Sequence, residues 1–216
     1  MRRACERSGR DRSQITLVAV TKKFSAVAIQ TAYAAGVRHF GENYVQEFAT
    51  KQTEIGSLEG ACYHLIGHLQ SNKARLAVGL FDVIHTVDSI KLLDRLDHAA
   101  QQASRHLDVL LEIKLSGEDA KSGAAVEEIP ALLRAAGKCH SLRVTGLMTM
   151  PPWSEDAERS RPYFQKLAQE AKRFGLPQLS MGMSNDFEAA IEEGATLVRV
   201  GTALFGSRPK PPVGAP

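Results

Sequence analysis

Eight short apolar runs recur along the chain, each followed by a longer amphipathic stretch, and this alternation limits the possible architectures more than any other feature. The runs fall at 15–20, 37–41, 63–67, 83–87, 107–114, 142–148, 179–181 and 196–200. Helical patterns occupy 27–35, 44–55, 72–78, 90–103, 126–136, 155–174 and 185–193. Parallel neighbours in a sheet need a crossover, and a helix supplies it. Two architectures meet that demand: an open doubly wound sheet and a closed barrel. A repeat with no break favours closure, and 216 residues are enough for it, near the lower end of the range for that fold. The reading is a single α/β domain, a (β/α)8 TIM barrel over 1–208, with a Pro-rich tail at 209–216.

Composition narrows the function. The 27 basic residues exceed the 24 acidic ones by three, far from the basic patch that nucleic acid requires. Cys5, Cys62 and Cys139 stand far apart with no C-x-x-C pair, as expected of free thiols in a reducing compartment. The N-terminus is basic but lacks the apolar run of a signal peptide, and no stretch reaches the ~18 apolar residues of a membrane span. The expectation is a cytoplasmic protein without nucleic acid or membrane as partner. No apolar helix face is left over, so the chain reads as a monomer.

In a barrel, function sits at the C-terminal ends of the strands. Lys22 ends the first. Side chains alternate along a strand, so Thr16, Val18, Val20 and Lys22 share a face. If that face is the interior, apolar walls disfavour the ammonium form and leave an amine able to condense with an aldehyde. Position alone leaves a second reading open, a solvated lysine beside Lys23. The seventh and eighth strands end in 180–186 and in Arg199-Val200-Gly201-Thr202, small and hydroxylated segments of the kind that hold phosphate in barrels, although Gly and Ser are also ordinary turn residues. Arg199 lies inside an apolar run, where a guanidinium must find partners. It is either half of an internal ion pair or a donor to a ligand. His64 and His68 are four apart but belong to no H-E-x-x-H motif, so no metal is expected there. His39 and His85 read as satisfying local hydrogen bonds. Lys121 and Ser122 look like the end of a P-loop, but the leading glycine spacing is wrong, so nucleotide binding is not expected.

Several longer stretches resemble one family. They are 17–22 (Leu-Val-Ala-Val-Thr-Lys), 39–47 (His-Phe-Gly-Glu-Asn-Tyr-Val-Gln-Glu), 64–73 (His-Leu-Ile-Gly-His-Leu-Gln-Ser-Asn-Lys), 121–123, 146–150, 179–184 and 198–206. Together they resemble the pyridoxal phosphate homeostasis proteins, the YggS/PROSC family, whose barrel is similar to the N-terminal domain of alanine racemase. The resemblance implies that Lys22 carries pyridoxal 5′-phosphate as an internal aldimine. It also implies that Ser180, Gly201 and Thr202 hold the phosphate, that Arg199 faces the pyridine nitrogen, and that Asn43 lies near the ring. Without it, Asn43 reads as a helix cap.

The sequence departs from the family where Lys23-Phe24 replaces the usual Thr-Lys-Pro, so the turn after Lys22 is expected to differ. Met1 also falls within the stretch that normally packs under the barrel: either the start is assigned late or that end is thinly covered. Three functions compete. A carrier would store the cofactor and hand it to pyridoxal-phosphate-dependent apoenzymes, with no catalytic residue of its own. An amino-acid racemase would need a second acid–base group, and Tyr44 is the only tyrosine near the mouth. An aldolase would use the same lysine on a sugar phosphate. An arginine against the pyridine nitrogen weakens the electron sink that carbanion chemistry needs and favours the carrier.

Overall fold

Every one of the eight apolar runs forms a strand. The computed structural model describes residues 1–116 and 122–207, so the tail predicted at 209–216 and Lys121 lie outside the described residues. The strands are β1 (Thr16–Val20), β2 (His39–Glu42), β3 (Cys62–Leu65), β4 (Val83–Val87), β5 (Leu107–Glu112), β6 (Leu142–Met148), β7 (Gln178–Ser180) and β8 (Leu197–Val200). They pair in sequence order, all parallel, and β8 returns to β1 through Thr16↔Leu197 and Val18↔Arg199, so the sheet closes into a barrel.

The helices are α1 (Arg2–Ser8), α2 (Ala26–Ala34), α3 (Val45–Ile55), α4 (Ala74–Leu80), α5 (Ile90–Gln102), α6 (Ile129–Ala136), α7 (Arg161–Arg173), α8 (Phe187–Glu192) and α9 (Thr202–Phe205). The largest delays relative to the periodicity are at α6 and α7, which begin three and six residues late. Pro130 and Pro162 lack the N–H an α-helix interior uses and are favoured in its first turn. The preceding residues, Val126–Glu128 and Ala157–Ser160, wind as 3-10 turns instead. β2 also starts two residues late. The Val37 N–H closes α2 by donating to Ala32 O at 3.0 Å, with Gly36 in a left-handed conformation (φ 92°), so Val37 belongs to the helix end.

The core has two layers. Val18, Leu110, Met148 and Leu197 pack together inside the barrel, whereas their strand neighbours Ala19, Val109, Leu111, Leu147 and Val198 face the helices. Val18 therefore fixes the parity of β1, and the face it shares with Val20 and Lys22 is the interior one. At the other end of the chain fold, α1 buries Ala4 and Cys5 and packs on α8, where Arg7 pairs with Glu188 and Glu192 at 2.6 Å each. This helix occupies the stretch predicted to be thinly covered. Among the described residues no helix is long and apolar enough to cross a membrane.

Candidate functional site

At the C-terminal mouth a cavity of about 120 Å³ collects five of the six predicted residues: Lys22, Asn43, Arg199, Gly201 and Thr202. Val20 and Ile66 form apolar wall below, and Met150, Met183 and Ser184 complete the rim. Lys22, half-buried, sits on a turn held from outside the barrel. Its neighbour Lys23 has φ 64°, unusual for a residue with a Cβ, and the Lys23 N–H donates to Glu47 Oε1 at 2.6 Å. Phe24 N–H closes the turn on Thr21 O at 3.0 Å, and the Phe24 ring meets Phe205 at 5.3 Å. This is how Lys23-Phe24 is accommodated without a proline.

The same turn is tied to α3 by charges the sequence did not disclose. Lys51, buried at 6 % exposure, donates to Thr21 O and Glu42 Oε1 at 2.8 Å each and lies 2.6 Å from Glu47 Oε1. Thr21 Oγ1 donates to Glu42 Oε1 at 2.8 Å. Burial raises the Glu42 pKa, and the Lys51 ammonium opposes that rise.

Arg199 is buried at the floor of the cavity. Its Nη1 donates to Ser180 Oγ at 2.6 Å and its Nη2 to Thr149 O at 3.0 Å. A hydroxyl and a carbonyl hold it, with Asp186 and Glu112 acting at longer range. Desolvation brings its pKa down to about 10, so the guanidinium stays charged at neutral pH. Ser180 departs from the phosphate-binding expectation. It is fully buried below the cavity, and its hydroxyl is committed to Arg199 and to His85 Nδ1 at 2.8 Å. From His85 the contacts continue down the barrel: His85 Nε2 to His64 Nδ1 at 2.8 Å, then His64 Nε2 to His39 Nδ1 at 3.0 Å. Burial holds the His64 pKa down to about 3 and that of His85 well below the usual range, so both are neutral. His68 points elsewhere, 53 % exposed and 3.9 Å from Asp88. The histidine series was legible only in part: each is an inward position on one of three successive strands, but facing side chains require the register.

Where the sequence suggested Ser180, the cavity offers Ser184. Its Oγ accepts the Gly201 and Ala203 N–H groups at 3.2 and 3.3 Å, so two backbone donors converge on one oxygen at the start of α9. Gly182 makes this loop possible: it has φ 89°, and a Cβ there would lie 2.5 Å from Ala190 Cβ. Opposite, Asn43 Oδ1 is buried without a hydrogen-bond partner. Gly67 fixes its backbone, since a Cβ there would stand 2.2 Å from Asn43 O.

Met150 and Met183 also border a second cavity of about 300 Å³ containing Glu112, Lys114, Ser122 and Trp153. Burial, reinforced by Asp88, pushes the Glu112 carboxyl up to about 7, with Arg199 opposing.

A closed eight-stranded parallel barrel with a lysine after β1 and a buried arginine on β8 is a barrel of the alanine racemase N-terminal domain type, and the model of that domain matches residues 3–209. Solved alanine racemases share the fold alone: that of Corynebacterium glutamicum superposes with a TM-score of 0.68 at 19% identity, over 90% of this chain and 56% of its own. Within that type the chain belongs to the pyridoxal phosphate homeostasis protein family. The Pseudomonas aeruginosa protein of that name is 43% identical over 96% of this chain and 91% of its own length. The Aquifex aeolicus one is 40% identical over 96% and 93%. PipY of Synechococcus elongatus, solved with pyridoxal phosphate bound, has a TM-score of 0.84 at 41% identity over 95% of this chain and 98% of its own.

Proposed function

We propose that this chain binds pyridoxal 5′-phosphate at Lys22 and stores it for pyridoxal-phosphate-dependent apoenzymes, as a cytoplasmic monomer that is a carrier rather than an enzyme. The observation that carries this reading is the small cavity in which an amine, a buried guanidinium, an unsatisfied amide oxygen and two converging N–H groups face one another. When bound, the cofactor supplies an aldehyde that condenses with a neutral amine and a ring that can accept electrons.

Lys22 provides the amine, on a turn clamped by Glu47 and Lys51. Ser184, Gly201 and Thr202 are assigned the phosphate, in place of Ser180, which instead orients Arg199. Arg199, charged at neutral pH, would face the ring nitrogen and disfavour its protonation, since a second positive charge there is unfavourable. Asn43 Oδ1 offers an acceptor at the ring edge. A racemase needs an acid–base group on each face of the substrate, and Tyr44, 49 % exposed at the start of α3, does not line the cavity. Among the described residues the exposed aliphatic side chains Val27, Leu76, Ile90 and Leu204 lie on four different helices, which supports a monomer.

The test is borohydride reduction of the yellow complex followed by peptide mapping. The expected phosphopyridoxyl group is on Lys22, and its recovery on another lysine refutes the assignment. Incubation with L-alanine in deuterated water separates the two functions. A carrier leaves Cα largely unexchanged, whereas rapid exchange with D-alanine formation favours the racemase.

A further inference from the structure

We propose that His39, Cys62 and His64 form a binding site for a divalent transition-metal ion of the zinc type at the mouth opposite Lys22. The three residues start two adjacent strands. His39 pairs in register with Cys62, and Cys62 and His64 are two apart on β3, so their side chains share the interior face. One ligand atom from each lies within 4.8 Å of the other two. The facing nitrogens of His39 and His64 are 3.0 Å apart. A tetrahedral zinc sphere needs about 3.3 Å between nitrogens and about 3.6 Å between sulfur and nitrogen, so rotation of the Cys62 side chain and a slight parting of the rings complete the set. Two histidines and a thiolate leave a fourth position for water, and this donor mixture suits zinc or cobalt better than magnesium or calcium.

Burial, with Asp82 and Asp108 adding to it, pushes the Cys62 thiol up to about 12, so its proton leaves only as the ion binds. His64 is also supported from behind, because Nδ1 meets His85 Nε2 at 2.8 Å, the kind of second contact that orients a metal-ligating imidazole. His39 and Cys62 are partly exposed, which gives the ion a path of entry. On binding, the Cys62 thiol releases one proton to solvent. Both imidazoles coordinate as neutral rings, with the His64 proton on Nδ1 and donated to His85, whose own proton moves to Nδ1. A motif scan misses the site because its ligands come from two strands rather than one helix.

Tag-free protein without cofactor is titrated with Co2+, followed by displacement with Zn2+. One equivalent should bind at micromolar protein concentration, with a thiolate-to-cobalt charge-transfer band in the near ultraviolet. Cys62→Ser should abolish the band, and both Cys62→Ser and His39→Ala should weaken zinc binding at least about tenfold. His106→Ala, at an exposed histidine, should change nothing. Circular dichroism checks folding, and His39→Ala carries the test if Cys62→Ser does not fold. Absence of the band, or unchanged affinity in a folded ligand variant, overturns the proposal. Neither outcome involves Lys22, so the cofactor reading stands or falls separately.

Discussion

Glu112 is an acid at 3 % exposure whose Oε2 has no hydrogen-bond partner, and its ionisation therefore makes folding depend on pH. Its folded pKa is raised from 4.5 to about 7. The native state thus holds a proton that the unfolded state has already lost between those values. That contribution to stability is complete below about pH 4.5 and disappears as pH rises through about 7. Glu112→Gln keeps the shape and removes the titration. The variant should gain on the parent as pH rises, by about 1–3 kcal/mol at pH 8 relative to pH 5 once the neighbouring cavity's water is allowed for. Urea midpoints at the two pH values measure it, and a constant difference rejects the buried-charge account. The sequence did not reveal Glu112 because β5 is buried on both faces, so its near-continuous apolar run gives no alternation to show that Leu110 and Glu112 face inward. Lys22, Arg199, Gly201 and Thr202 were readable because strand ends define the mouth, whereas Asn43 came only from the family resemblance. Ser180 was four residues from the hydroxyl that reaches it, a distance that depends on how Gly182 turns the loop.

At the level of elements, α3 does more than cover the sheet. Phe48 packs between Tyr63 and Phe81 at ring distances of 4.8 and 4.9 Å, which seats the helix on β3 and against the end of α4. Lys51 then reaches from the same helix to the ends of β1 and β2 and fixes the turn bearing Lys22. Removing one partner of a buried ion pair strands the other charge. Lys51→Met should therefore cost about 3–5 kcal/mol in denaturant unfolding. Adding Glu42→Gln should recover part of that loss, because the amide needs no counter-charge. A double variant no more stable than Lys51→Met would mean that the lysine contributes packing rather than charge. The helix itself was legible from its periodicity, but a lysine in an amphipathic segment reads as solvated. Only the closure of α3 over the strand ends shows that this one is not. Proline explains the other misreading: the pattern at 155–174 looks like one helix, but α7 begins only at Arg161, beside Pro162.

Across the whole molecule, a line of polar side chains runs through the barrel from one mouth to the other, and its proton order can be deduced. Arg199 has only donors, so Ser180 Oγ must accept from it. The acceptor within reach of the serine hydroxyl is His85 Nδ1 at 2.8 Å, which puts the His85 proton on Nε2. That proton is donated to His64 Nδ1, and the His64 proton on Nε2 is donated to His39 Nδ1. In the metal-free protein all three rings should therefore be Nε2–H tautomers. The opposite order would have Ser180 accept twice and leave its own O–H unpaired in the interior, at a cost of about 1–3 kcal/mol. Long-range proton–nitrogen spectra distinguish the tautomers directly. Arg199→Met removes the donor that sets the direction, so the variant should show mixed tautomers at His85 and His64. A single unchanged pattern would mean that local surroundings, not the distant guanidinium, place the protons. The cation facing the Lys22 cavity would then have no influence on the far mouth.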